Sequence, residues 1–226
     1  MGNETLVVDP KKNATADTTD YTAKTDYDLN HRVVSVTDAA GNTTRQSYDK
    51  DSLVVSTTDA ENNTTTFAYD ERGMRSEVKV PHKDTTPVTH RTTKYEYDQV
   101  GNTTKVITPR GAETAATEDF ASRTEYDALN RPVKQFQPYD PNDTRYNDPN
   151  VYIQTFYDAV GRVAKSSLPP SEGQTVRNDT GYSYFDNGWT KSSTDPWDIS
   201  TTYDYNELAG RRPARSRPPV APRTGP

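Results

Sequence analysis

Apolar residues in this chain fall in short clusters separated by polar, turn-forming segments. Val33-Val34 and Val36, then Leu53-Val54-Val55, then Val78 and Val80 sit among threonines and serines, with Asp, Asn and Gly between the clusters. Arg32–Thr37 and Thr43–Tyr48 are typical intervals, six residues each. That is ordinary strand length, roughly 17–23 Å. The separators are reversals such as Asp38-Ala39-Ala40-Gly41-Asn42 and Asp59-Ala60-Glu61-Asn62-Asn63. Aspartate and asparagine side chains bond nearby backbone amides and tolerate left-handed geometry, while glycine takes positive φ freely. The pattern predicts strand, turn, strand, turn: an all-β fold, a repetitive antiparallel β-hairpin meander. Alternation is imperfect, since Val33-Val34 and Leu53-Val54-Val55 put apolar groups on both faces. Either both faces are partly covered or the open sheet is strongly curved. No stretch reads as a long amphipathic helix; Thr114–Phe120 offers one short turn.

The reversals recur in register. Tyr-Asp appears at Tyr27-Asp28, Tyr48-Asp49, Tyr69-Asp70, Tyr97-Asp98, Tyr126-Asp127 and Tyr157-Asp158, at spacings of 21, 21, 28, 29 and 31 residues. Phe185-Asp186 reads as a variant, and Tyr203-Asp204 or Tyr205-Asn206 begins a last, damaged copy. Glycine follows at Gly73, Gly101, Gly161 and Gly188, and arginine at Arg131 and Arg162. Such self-similarity marks a repeat architecture of about eight units. Each tyrosine is expected at a strand end, where its ring covers the turn and its hydroxyl reaches water or backbone.

Composition changes the picture in two ways. Only 30% of the 226 residues are hydrophobic and the mean hydropathy is -1.04. Packing is therefore thin, yet 15 tyrosines and more than thirty threonines suit a half-solvated pleated surface. Net charge is -6, unevenly spread. Residues 209–226 hold five arginines and no acid, leaving 22 basic and 33 acidic residues in the remainder. An acidic body is a poor partner for nucleic acid. Cysteine is absent, so no disulfide or thiolate metal site forms. No segment has the apolar run of a signal peptide or a membrane span.

These observations divide the chain into a lead-in at 1–20, an array at 21–208 and a basic tail at 209–226. Leu6-Val7-Val8 offers a strand within the lead-in. Insertions at 81–92, 109–122, 137–150 and 169–181 read as surface loops. The tail is either a natural disordered segment or the product of a lost reading frame; the abrupt change of composition in mid-motif favours the latter.

The string Tyr157-Asp158-Ala159-Val160-Gly161-Arg162-Val163 is the best copy of the repeat. It resembles the RHS/YD-repeat family, which includes bacterial RHS and wall-associated proteins, the C component of insecticidal toxin complexes and teneurins. Tyr126-Asp127-Ala128-Leu129-Asn130-Arg131 departs by Asn for Gly, and Tyr48-Asp49-Lys50-Asp51-Ser52-Leu53 lacks both Gly and Arg. The resemblance implies a β-sheet ribbon forming part of a hollow shell, with a toxin or effector domain enclosed or displayed. It also implies a secreted or cell-surface location within a longer chain, whose remainder or cargo is the partner. The terminal box of such shells is missing, and Asp195-Pro196 stands in another context. A wall fragment with two open sheet edges is expected.

Other chemistry is sparse. His31, His82 and His90 have no second ligand at usable spacing, and the oxygen-rich stretch Asp140, Asn142, Asp143, Asn147, Asp148 lacks EF-hand spacing. Asn42-Thr43-Thr44 and Asn102-Thr103-Thr104 follow from the turn-then-threonine grammar. No nucleophile, phosphate-loop or cofactor motif occurs. The expected role is non-catalytic and structural, with no cofactor. The alternative is a module binding carbohydrate or a cell surface through Tyr182, Tyr184, Trp189 and Trp197.

Overall fold

The structure, a computed structural model, describes residues 3–8, 22–82, 89–116, 119–140, 142, 148, 150–205 and 211–212. Strands β1 (Leu6–Val8), β2 (Thr22–Tyr27), β3 (Val33–Thr37), β4 (Thr43–Tyr48), β5 (Val54–Thr58) and β6 (Thr64–Tyr69) open the array. β7 (Arg75–His82), β8 (Thr89–Tyr97) and β9 (Thr103–Ile107) precede a one-turn helix, α1 (Pro109–Ala112). Then come β10 (Ala121–Tyr126), β11 (Pro132–Phe136), β12 (Tyr152–Tyr157), β13 (Val163–Leu168), β14 (Asn178–Tyr184), β15 (Thr190–Thr194) and β16 (Ser200–Thr202). These sixteen strands form one open sheet in sequence order, and β17 (Asp204–Tyr205) pairs separately with β18 (Arg211–Arg212). The antiparallel all-β meander expected from the turn spacing is therefore present.

Contacts divide the chain into two compact units, Met1–Gly101 with Val106–Thr117, and Asn102–Lys105 with Glu118–Pro226. In both, the packing is thin. Among the described residues the buried apolar side chains are Ile107 in the first unit and Phe120, Ala121 and Phe136 in the second. Most strand residues are half-buried, as expected for a sheet held by ladders and rings more than by a deep core. No helix among the described residues is long and apolar enough to cross a membrane.

Three expectations change. The insertion at 81–92 is not a simple loop, because β7 and β8 run on as a long hairpin from Glu77↔Lys94 to His82↔Thr89. Residues added on both sides of a hairpin lengthen its ladder. The short helical turn falls at Pro109–Ala112, before Thr114, where proline at the first position suits a helix start. The basic stretch at 209–226 lies largely outside the described residues. Its Arg211 and Arg212 nevertheless pair with Tyr205 and Asp204, so strand pairing crosses the boundary expected at 208. Backbone pairing needs no particular side chain.

Candidate functional site

The chemistry of this protein is concentrated where the Tyr-Asp turns lie. Each turn is a three-residue hairpin loop whose fourth position, counting from aspartate, has positive φ. In the first, Asp28 N donates to Arg32 O at 2.9 Å and His31 N donates to Asp28 O at 3.0 Å. Asp28 Oδ1 accepts from the amides of Asn30 and Arg32 at 2.9 and 3.0 Å. The pattern repeats at Asp49, Asp70, Asp127 and Asp158. At Asp98 the amides of Gly101 and Val100 donate to the backbone and side-chain oxygens at 3.3 and 3.0 Å. The left-handed position is Gly73, Gly101 or Gly161 in some turns and His31, Ser52 or Asn130 in others.

The tyrosines do more than cover these turns. Where two units meet, the strand ladder stops two residues short. Ser35 pairs with Arg45, Ser56 with Thr66 and Lys165 with Gly181, while Val33, Val54 and Val163 lie beyond the last pair. There the next tyrosine reaches across. Tyr48 Oη donates to Val33 O at 2.8 Å, Tyr69 Oη to Val54 O at 2.7 Å and Tyr97 Oη to Arg75 O at 2.8 Å. Tyr126, Tyr157, Tyr184 and Tyr205 reach Thr103, Pro132, Val163 and Thr190 in the same way, at 2.9, 2.9, 2.7 and 2.9 Å. Each hydroxyl thus supplies a donor to a carbonyl that the splayed ladder leaves behind.

A second contact runs alongside. From the Asp28 turn to the Asp127 turn, the residue just after the turn lies against the left-handed residue of the next one, whereas Arg162 Nη1 donates instead to Phe185 O at 3.2 Å. Arg32 Nη1 donates to Ser52 Oγ at 3.0 Å, and Asn102 Nδ2 donates to Asn130 Oδ1 at 2.9 Å. A Cβ on Gly73, Gly101 or Gly161 would lie 3.6, 3.5 or 3.6 Å from Leu53 Cδ1, Met74 Sδ or Arg131 Nη1. Where that residue is arginine it also locks its own turn. Arg32 Nε, Arg131 Nε and Arg162 Nε donate to the Oδ2 atoms of Asp28, Asp127 and Asp158 at 2.8, 2.8 and 2.7 Å. The same guanidinium groups lie 4.4, 4.3 and 4.6 Å from the ring centres of Tyr48, Tyr157 and Tyr184, within cation–π range. Aspartate, arginine and the following tyrosine thus form one latch between successive units.

The electrostatics follow from these bonds. The amide of Arg32, then its guanidinium, hold the Asp28 carboxyl below the usual carboxylate range. Asp127 is lowered by the Arg131 guanidinium and amide, and Asp70 by the Met74 amide. At Asp158 partial burial pushes up most strongly of any single influence, but the guanidinium and amide of Arg162 together outweigh it. Desolvation raises Tyr97 and Tyr184, which keeps their hydroxyls as donors.

The structure places the motif residues as follows. Tyr27, Tyr48, Tyr69, Tyr97, Tyr126 and Tyr157 end their strands, and Asp28, Asp49, Asp70, Asp98, Asp127 and Asp158 open the turns. The unit expected at Phe185-Asp186 is shifted by one residue. Tyr184 supplies the latch hydroxyl, and Phe185 opens the turn with its backbone, closed by Trp189 O and Gly188 N. Asp186 lies inside the loop. Asn187 Oδ1 accepts from Trp189 N at 3.0 Å, which gives this turn a side-chain acceptor without aspartate. Asp195-Pro196, which the sequence set apart, opens an ordinary repeat turn closed by Ile199, with Asp198 at positive φ.

Sequence reasoning also missed a half-unit at the start. Tyr27 Oη donates to Glu4 O at 3.0 Å, and Asn3 Nδ2 is 3.2 Å from His31 Nδ1. Residues 3–8 therefore stand where residues 32–37 stand, inside the segment expected as a lead-in. The identical ladder offset, Leu6↔Lys24 beside Ser35↔Arg45, was not visible because the turn residues carry no Tyr-Asp there. Among the described residues no group of three His, Asp or Glu is arranged to hold a metal ion. Asp143, Asn147 and the side chain of His90 lie outside the described residues.

The family described as RHS Repeat has a sequence model that matches residues 27–60 and 48–85, spanning three successive Tyr-Asp turns. Residues 27–85 therefore carry RHS repeats. No curated protein sequence matches the chain. The Tc holotoxin pore of Photorhabdus luminescens, carrying a mutated TccC3, matches this chain with a TM-score of 0.63 at 16% identity. That match covers 84% of this chain and 11% of the other, so the chain spans about a tenth of the length of its structural relative. At that identity the likeness establishes the fold. The TcdB2-TccC3-Cdc42 and TcdB2-TccC3 crystal structures cover 84% and 87% of this chain and 12% and 14% of theirs, at 15% and 14% identity. Their TM-scores, 0.39 and 0.36, are too low to carry an argument. Tyr48 and Tyr69, with their hydroxyls on Val33 O and Val54 O, lie within the matched residues.

Proposed function

We propose that this RHS-repeat chain is a non-catalytic wall segment of a longer secreted or cell-surface protein, part of a β-shell that encloses or displays a toxin or effector domain. The observation that carries the reading is the latch. Each unit is tied to the next by a tyrosine hydroxyl on a stranded carbonyl and by a post-turn side chain on the following turn. Such ties suit a surface that must hold its shape with a thin core. The fold of the Tc holotoxin pore, a toxin assembly, adds support. The test is protease protection. In the full-length gene product, a downstream domain should resist trypsin that digests it when expressed alone. Equal digestion rates in the two settings would sink the reading.

A second reading, a carbohydrate-binding or cell-surface-binding module, is favoured by one feature. Phe185, Trp189 and Tyr205 line a cleft of about 570 Å³ with Asp186, Asn187 and Asp204 at its rim. Aromatic faces beside hydrogen-bonding groups suit a neutral sugar. Trp189 is 39% exposed there, whereas Trp197 lies on another turn and the Tyr184 hydroxyl is committed to Val163. Glycan-array binding that disappears with Trp189→Ala would support this reading, and a silent array would remove it.

A further inference from the structure

We infer that the junction between the Asp49 and Asp70 turns is an arginine-binding site, which takes the guanidinium group of an arginine supplied by another polypeptide between the Asp49 carboxylate and the Tyr69 ring. The inference goes beyond the wall reading. All the residues of this junction lie within the first compact unit.

In the preceding junction the chain supplies this group itself. Arg32 Nε and Nη2 donate to Asp28 Oδ2 at 2.8 and 2.7 Å. Its Nη1 donates to Asp49 O at 3.2 Å and to Ser52 Oγ at 3.0 Å. The guanidinium carbon lies 4.4 Å from the Tyr48 ring centre. One unit on, the places of Asp28, Arg32, Tyr48, Asp49 and Ser52 are taken by Asp49, Leu53, Tyr69, Asp70 and Gly73. Leucine has neither the length nor the charge of arginine, and Gly73 brings no side chain to meet it. The result is a cleft of about 660 Å³, lined by all five of these residues.

The groups that grip the Arg32 guanidinium recur in the cleft. Asp49 Oδ1 accepts from the amides of Asp51 and Leu53, both at 2.9 Å, while its Oδ2 accepts no bond from the described residues. The Tyr69 hydroxyl donates to Val54 O at 2.7 Å, which fixes the ring, and among the described residues no cation stands over its face. Phe67, also in the cleft, already has the Arg75 guanidinium 4.6 Å from its ring centre. Asp70 O accepts from Gly73 N at 2.9 Å and keeps a second lone pair, as Asp49 O does for Arg32. Charge selects a cation, because Asp49, Asp51, Asp70 and Glu71 outnumber Lys50 and Arg72 around the cleft. Arg72 is engaged by Asp70 Oδ2 at 3.1 Å and Asp98 O at 2.6 Å, and Lys50 Nζ lies 4.0 Å from Asp51. A planar guanidinium can meet carboxylate, carbonyl and ring face at once, whereas an ammonium is a point charge.

The test titrates the whole isotope-labelled chain at low salt with the N-acetyl methylamides of arginine, lysine and citrulline, following backbone amide shifts by NMR. The arginine probe should move the amides of residues 49–53 and 69–73 saturably. It should leave residues 28–32, 127–131 and 158–162 unmoved, since an arginine of the chain already holds each of those carboxylates. Citrulline, alike in shape but uncharged, should need a concentration higher by about tenfold, and lysine by about threefold. Leu53→Arg copies the Arg32 junction and should abolish the response. Asp49→Asn keeps the Oδ1 acceptor for the turn and should weaken binding by about tenfold. Equal shifts from arginine and citrulline would overturn the inference, and equal strength of lysine would remove the guanidinium assignment. Shifts of like size at every aspartate turn would mean general ion pairing and would also sink it. Undiminished binding to Asp49→Asn would do so alone, even if Leu53→Arg failed to fold. None of these results bears on protease protection of a downstream domain.

Discussion

Strands β3–β6 and strands β10–β14 use the same turns and latches but hold their strands together differently. In the first region, three facing pairs are joined through their hydroxyls. Thr37 meets Thr43 at 2.8 Å, Ser47 meets Ser56 at 2.6 Å and Thr58 meets Thr64 at 2.9 Å. In the second region the equivalent positions carry rings and cations. Arg45↔Thr58 becomes Arg123↔Phe136, and Ser47↔Ser56 becomes Phe156↔Lys165. The Arg123 guanidinium lies 4.3 Å from the Phe136 ring centre, Lys165 Nζ 4.4 Å from that of Phe156, and Phe136 packs on Tyr152 at 5.2 Å. The lesson is that turn chemistry sets the fold, while strand faces are free to exchange hydroxyl pairs for ring–cation pairs.

Several perturbations would break or sharpen this contrast. Acid is expected to act most strongly, because it reaches every unit at once. Asp28, Asp38 and Asp70 in the first region and Asp127, Asp158 and Asp179 in the second are held below the ordinary carboxylate value. A carboxyl lowered on folding contributes stability that is complete above its unfolded value, about 3.9, and is lost as pH falls through the folded one. Circular dichroism from pH 7 to 2 should show both regions stable to about pH 4 and weakening below it. Loss of one region well above that pH would mean that the turns are not the shared element.

Phe136→Ala comes next. This ring is 8% exposed, and its removal should cost about 3 kcal/mol, read from urea unfolding. A cost below about 1 kcal/mol would show that the second region does not depend on ring packing. Gly161→Ala should cost about 1–2 kcal/mol because of the backbone conformation. Its φ is +89° and a Cβ would make only an ordinary 3.6 Å contact with Arg131 Nη1. Tyr48→Phe and Tyr157→Phe should each cost about 1 kcal/mol. Equal losses would place the latch in both regions alike, and a loss confined to one would break the equivalence. The smallest change is expected for Thr58→Val, about 0.5 kcal/mol, since its half-buried hydroxyl pair competes with water.

Much of this architecture was legible because its determinants are local. Asp158 Oδ1 accepts from amides two and four residues on, and Gly161 supplies the positive φ between them. All the participants lie within one short window of sequence. The shift at Tyr184 shows the limit of that reading. A Tyr-Asp pattern drew the eye to Phe185-Asp186, yet an Asn-Gly loop after Phe185 closes on backbone bonds and moves the ring one place earlier.

By itself, the sequence determined where the chain reverses and which residues can lie beside each reversal. Asx bonding and left-handed backbone are properties of a few consecutive residues and need no distant partner. Only the tertiary structure decided which carbonyl each tyrosine reaches, from 15 residues away at Tyr48 and Val33 to 25 at Tyr157 and Pro132. It also decided that Glu4 belongs to the repeat. Those outcomes depend on where paired strands part company. Intervening loops of different length leave that point unchanged, so no fixed spacing in the sequence records it.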